Sequence, residues 1–262
     1  MTATTATASE ALERGDLDAA VAAALSGVRA APDDRDARAL LIDLLIVAGE
    51  HERADRQADI LSNLAPDLAV GLSLLRGYLR AAEARRAWFE EGAVPAFPDG
   101  PSERDELALR LGVALRDSGD ASEALNALAE RSETTVTVNG GRPVPFRDAD
   151  DRVPHAVEVL GGNGSYVWVD LGRIERVEFA PPRVVRDLAW RPARMRLRDG
   201  AESDVVLAMT YHAANPTPAE RLARETNWDE ERAIPLGRGQ KAFLAGDEAV
   251  YAADLRRLEI AE

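Results

Sequence analysis

Apolar residues in the first half of the chain recur three and four positions apart, the period of a helix with one buried face. Near Thr134 that spacing shortens towards two, and turn dipeptides begin to punctuate the sequence. The first pattern predicts helices near residues 9–14, 17–31, 35–48, 51–64, 68–91, 103–118 and 121–131. The loop "EGAVPAFPDGPSE" separates the fifth from the sixth, because its prolines and glycines do not continue a helix. Landmarks also repeat within the helical half. "GDLDAA" at Gly15 returns as "GEHERA" at Gly49, and "APD" at Ala31 returns at Ala65, both after 34 residues. That is the period of the tetratricopeptide helix-turn-helix unit. Gly15 and Gly49 fit the turn, Ala20 and Ala54 the close helix–helix approach, and Pro32 and Pro66 the end of the second helix. A degenerate third copy, "GDASEA", starts at Gly119.

The second half reads as hairpins. Asn139-Gly140, Asn163-Gly164, Asp199-Gly200 and Gly246-Asp247 each lie between short apolar runs, and each supplies the positive φ that tight hairpin turns require. Short helices are expected at Leu171–Ile174 and Pro218–Thr226. The stretch "GGNGSYVWVDLGRIERVEFAPP", from Gly161 to Pro182, begins like a phosphate-binding loop. A phosphate loop leads into a helix, whereas "SYVWVDL" alternates and is rich in β-branched and aromatic residues, so a strand follows and the segment is a hairpin. The predicted fold is α+β: a tetratricopeptide-like repeat over residues 1–132, then a mostly β part over 133–262 forming a small antiparallel sheet or barrel.

Composition narrows the chemistry. The 262 residues include no cysteine, which removes disulfides, thiol catalysis and thiolate metal sites. The net charge is −14, and residues 1–132 hold 24 acidic and 14 basic side chains, so most of the excess lies in the helical half. Such a chain repels nucleic acid and anionic lipid, so neither is expected as a partner. The amino-terminal "MTATTATASEALERGD" lacks the basic start and apolar core of a secretory signal, and no apolar run approaches the roughly 20 residues of a membrane span. A cytoplasmic protein is expected.

Catalytic motifs are not found. "LGRGQKAF" places Lys241, the single lysine, behind two glycines, but it lacks the spacing and the hydroxyl residue of a Walker loop and reads as a turn entering a strand. "HERAD" has Asp55 where a zinc-protease helix needs its second histidine, and His51, alone on a helix, reads as a solvated side chain. No catalytic, cofactor-binding or metal-binding residue is assigned. Trp168 and Trp190 are expected in the core of the β half, and Trp88 and Phe89 at the seam between the halves. Arg191, Arg194, Arg196 and Arg198 form a basic strip with Arg183 and Arg186. It reads as a solvated strand face, as a site for an acidic partner or phosphate, or as a surface pairing with the acidic helical half. Leu41, Leu44, Leu45, Leu75, Tyr78 and Leu79 are candidates for a partner-binding groove in the helical stack, and read equally as core within the repeat.

Four segments resemble the ImpE/TagJ family of type VI secretion accessory proteins, in the family's order and over almost the whole chain. They are "GDLDAAVAAALSGVRAAPDD", "YVWVDLGRIERVEFAPPRVVRDLAWRPARMRL", "AERLARETNW" and "LGRGQKAFLAGDEAVYAADLRRL". The resemblance implies a cytoplasmic, non-enzymatic adaptor that needs no cofactor. It also implies that the adaptor binds the N-terminal helix of the small contractile-sheath subunit and connects the sheath to its AAA+ disassembly ATPase. The alternative, resting on the Gly-rich turns and the arginine strip, is a small-molecule or nucleotide-binding enzyme that uses the β half.

Overall fold

The structure, a computed structural model, describes residues 3–117, 119–230 and 234–261. Seven helices come first: α1 (Ala3–Glu13), α2 (Leu17–Ala30), α3 (Arg35–Val47), α4 (His51–Leu64), α5 (Ala69–Glu91), α6 (Glu103–Arg116) and α7 (Ser122–Ala129). Gly15 and Gly49 close their turns at φ 79° and 74°. The aspartates that follow each turn or proline, Asp16 and Asp34, cap α2 and α3 by accepting from the amides of Ala19 and Ala37. Ala20 and Ala54 are fully buried, as the repeat requires. Helices α1 to α5 pack each against the next, and α6 pairs with α7. Helix α1 starts earlier than its sequence pattern indicates. Among the described side chains its buried residues are small, Ala8 and Ala11, with Leu12 partly buried near its end, so no bulky apolar period extends the pattern toward its start. The expected end of α6 at residue 118 lies outside the described residues.

The strands are β1 (Thr134–Val138), β2 (Pro143–Asp148), β3 (Ala156–Leu160), β4 (Tyr166–Asp170), β5 (Ile174–Phe179), β6 (Trp190–Leu197) and β7 (Glu202–Ala208). After the one-turn helix α8 (Pro218–Arg221) come β8 (Thr226–Asp229), β9 (Leu236–Gly239), β10 (Ala242–Ala245), β11 (Glu248–Tyr251) and β12 (Arg257–Ile260). Ten of them form one sheet in the order β11-β10-β2-β1-β12-β5-β6-β7-β3-β4, and β8 and β9 form a separate ribbon. Every strand pairing is antiparallel. The Lys241 amide donates to the Met209 carbonyl and Thr210 bridges to Gln240, so the start of β10 meets the end of β7 and the sheet curls on itself. All four turn dipeptides form hairpins. The helix expected over 218–226 stops at Arg221, because Ala223 turns to φ 52° and β8 begins at Thr226.

Two apolar cores result. One lies within the curled sheet, around Phe146, Val177, Leu258 and Phe243. The other joins the halves: the buried faces of the helices continue into Leu160, Tyr166, Trp168, Trp190 and Val206. Trp168 and Trp190 therefore fill the seam rather than the sheet's own interior, a correction to the sequence-based expectation. Trp88 meets Trp168 edge-on at 5.0 Å, and Phe89 stacks on His212 at 4.9 Å, so both aromatics at the end of α5 do seal that seam.

Candidate functional site

Of the six groove candidates, Leu41, Leu44, Leu45 and Leu79 are at most 2% exposed. Helix α3 lies between α2 and α4, and the 3₁₀ turn Val185–Leu188 covers it. Arg186 from that turn pairs with Asp43 of α3, and Arg221 donates to the Ala48 carbonyl at the end of α3. The chain itself thus fills the face expected to receive a partner, and these four leucines hold the fold.

Leu75 and Tyr78 lie elsewhere. With Gly71 they form the α5 wall of a cleft of about 390 Å³, whose other walls are Arg186 and Asp187, Trp190 and Pro192 on β6, and Val205 and Val206 on β7. Val70 and Leu74 are 78% and 47% exposed on the adjoining turns of α5, and Val184 is 40% exposed beside the 3₁₀ turn. Burial, and to a smaller extent Asp204, raises the Tyr78 hydroxyl pKa, so the phenol is neutral. The Gly161–Gly164 turn braces this wall. A Cβ on Gly77 would lie 1.7 Å from the Gly162 carbonyl, and one on Gly162 would lie 2.9 Å from Leu74 and 3.5 Å from Tyr78. These glycines let a hairpin turn press against a helix.

The arginine strip is distributed among acidic neighbours. Arg194 lies between Glu178 and Asp204 in the sheet and bonds Glu202. Arg196 sits 3.0 Å from Glu175, Arg198 donates to the carbonyls of Gly172 and Ala261, and Arg191 is buried with its Nε on the Ala180 carbonyl. In the wider strip Arg186 is the residue that pairs with the helical half.

The feature that sequence reasoning missed is a buried charge network at the seam. Lys241 Nζ lies 2.5 Å from Asp148 and 2.9 Å from Glu158. Arg85 of α5 grips the same Glu158 at 2.6 Å and donates to the Thr210 carbonyl. Tyr166 donates to Glu158 and receives from the Trp168 indole, while Tyr211 donates to Asp148. Arg152 and Asp150 form a neighbouring pair at 2.6 Å. Burial alone would raise the Glu158 carboxyl, but the charges of Arg85 and Lys241 outweigh it and hold it well below the ordinary range. For Asp148 burial wins and its pKa is raised. Three carboxylates face three cations here, so their formal charges balance.

Each histidine meets a carboxylate through one ring nitrogen, and Nδ1 of His155 is buried without a hydrogen-bond partner among the described residues. His51, expected in solvent, bonds Glu83 at 2.7 Å and lies 5.5 Å from the Trp190 ring. His155 is buried against Asp105 at 2.9 Å, near Asp170. That trio has metal-like spacing, but Arg104 forks onto Asp170, whose carboxylate also accepts from Ser102 and Gly172. The guanidinium already supplies the positive charge a metal ion would bring, so the donor set does not fit one. Together these residues clamp the start of α6 to the end of β4.

The comparisons with known proteins bear on the whole chain. The sequence model of the ImpE protein family matches residues 141–259. The type VI secretion system accessory component TagJ of Pseudomonas aeruginosa is 31% identical over 264 residues, spanning 96% of this chain and 90% of that protein. The chain belongs to the ImpE/TagJ family. A crystal structure of a Vibrio parahaemolyticus protein superposes with a TM-score of 0.88 at 28% identity, over 97% of both chains. The shared architecture of this family member therefore includes both halves and the seam between them. No described helix is long and apolar enough to cross a membrane.

Proposed function

We propose that this protein is a non-enzymatic, cytoplasmic accessory of a type VI secretion system. In this reading it binds the N-terminal helix of the small contractile-sheath subunit and links the sheath to the AAA+ ATPase that disassembles it. The observation that carries the reading is the end-to-end similarity to a type VI accessory component. Two structural features support it. The buried ionisable groups pair with one another, and α5 borders a cleft formed jointly by helices and sheet, with an apolar floor and charged residues such as Glu178, Arg186 and Asp204 around it. An amphipathic helix suits that cleft, with its apolar ridge on Leu75, Tyr78 and Val206 and its flank against Val70 and Leu74. Tyr78 and Trp190 are the residue types that dominate such interfaces. Co-elution of the protein with the small sheath subunit in gel filtration tests the reading. Complex formation is expected, and it should disappear when the subunit's first helix is deleted. Failure to form a complex, or one that survives the deletion, would overturn it.

A further inference from the structure

A second cavity, about 500 Å³, opens on the opposite end of α5, between α6 and the β8–β9 ribbon. Its size falls within the roughly 300–1,000 Å³ of small-molecule sites. The apolar part of the wall is Trp88, Phe89 and Leu115, with His212 stacked on the Phe89 ring and Arg152 4.8 Å from its centre. Gly112, in the middle of α6, leaves room for one of those rings, since a Cβ there would lie 2.7 Å from Trp88 Cη2. A mid-helix glycine costs stability relative to alanine, so the Trp88 ring position explains its presence.

The cations in this cavity are not equivalent. Arg152 is saturated by Asp150 and the His212 carbonyl, and Arg238 by Glu220 and the carbonyls of Ala214 and Asn215. Arg116 has only a contact of 4.0 Å to Asp117. Its guanidinium rests over Gly92, whose positive φ of 81° ends α5 and whose missing Cβ clears the space. The rim carboxylates Glu90 and Asp229 are each engaged, Glu90 with Arg86 and His212. Among the described residues, one uncommitted guanidinium beside aromatic walls suits a monoanion with an apolar body. A nucleotide or other polyanion would meet, among the described residues, one uncommitted cation and two carboxylates.

From this geometry we infer that the cavity binds a small organic monocarboxylate, its apolar body against Trp88, Phe89 and Leu115 and its carboxylate on Arg116. The inference is independent of sheath binding, which uses the other end of α5. The test is a titration of the full chain with 3-phenylpropionate and, separately, its neutral amide, followed by the assigned Trp88 indole N–H signal in NMR. Saturable movement of that signal is expected, with the carboxylate tighter than the amide by roughly tenfold, as a charge-assisted hydrogen bond provides. Arg116→Gln should abolish that preference, bringing acid and amide to equal affinity, and Arg116→Lys should retain part of it. Equal affinity for acid and amide in the unaltered protein, a preference that survives Arg116→Gln, or no saturable movement of the Trp88 signal would overturn the inference.

Discussion

Single residues join the halves of this molecule, and their roles differ in how far the sequence announces them. Gly77 and Gly162 meet across the seam with no room for a methyl group. Gly77→Ala is expected to cost about 1–3 kcal/mol, the usual penalty of overpacking, as read from chemical denaturation. Glu158 is the hub of the buried network, so Glu158→Ala leaves Arg85 without its carboxylate and Lys241 with Asp148 alone, and should cost about 3–5 kcal/mol in the same measurement. His212 gives a pH signature. Burial, then the charges of Arg85 and Arg152, lowers its pKa from 6.5 to about 4. The unfolded chain therefore binds a proton that the folded chain refuses between those values, and this contribution to stability is full above pH 6.5 and lost as pH falls towards 4. NMR titration should place the His212 midpoint near 4, whereas a midpoint near 6.5 would show a solvated ring. The sequence placed Lys241 in a turn entering a strand; it does precede β10, but the residues before it form β9, and its partners were not announced. Asp148 lies 93 residues away and Arg85 lies 73 residues from Glu158, and no local pattern encodes such pairings.

At the scale of elements, local chemistry was far more legible than pairing. The apolar period and the repeated Gly, Ala and Pro landmarks gave α2 to α5 nearly to the residue, because caps and turns are decided within a few positions. The four hairpins were readable for the same reason. Asn139 shows how much one turn residue carries: it adopts φ 53°, donates to the Asp254 carbonyl, and accepts from the amides of Arg256 and Arg257. It thereby ties the β1–β2 turn to the segment leading into β12. Asn139→Ala loses these bonds and the tolerance for left-handed backbone, and a loss of about 2 kcal/mol is expected in thermal or denaturant unfolding. The strand order was not legible, since β1 pairs with β12 and β10 with β2 across long separations. The sequence left groove and core readings of the six leucine and tyrosine candidates equally open for a related reason. Repeat periodicity shows which helix faces are apolar, but not that the 3₁₀ turn Val185–Leu188 returns to cover one of them. Of the six candidates, Leu75 and Tyr78 line the cleft beside α5, Leu75 itself buried and Tyr78 half-buried against the Gly162 turn.

Considered whole, the chain places helices and sheet around a shared apolar core with a neutralised ionic layer beside it. Such a seam predicts one cooperative unfolding event, so far-UV circular dichroism and tryptophan fluorescence should give coincident transitions, and two separated transitions would show independent halves. It also leaves the α5 cleft as a surface that neither half forms alone. The central claim is that this composite cleft holds the first helix of the small sheath subunit, and calorimetric titration of the full protein with that helix as a peptide tests it most directly. Saturable one-to-one binding is predicted, weakened at least roughly tenfold by Leu74→Asp and by Tyr78→Asp. An absence of binding, or binding unchanged in both variants, would contradict it.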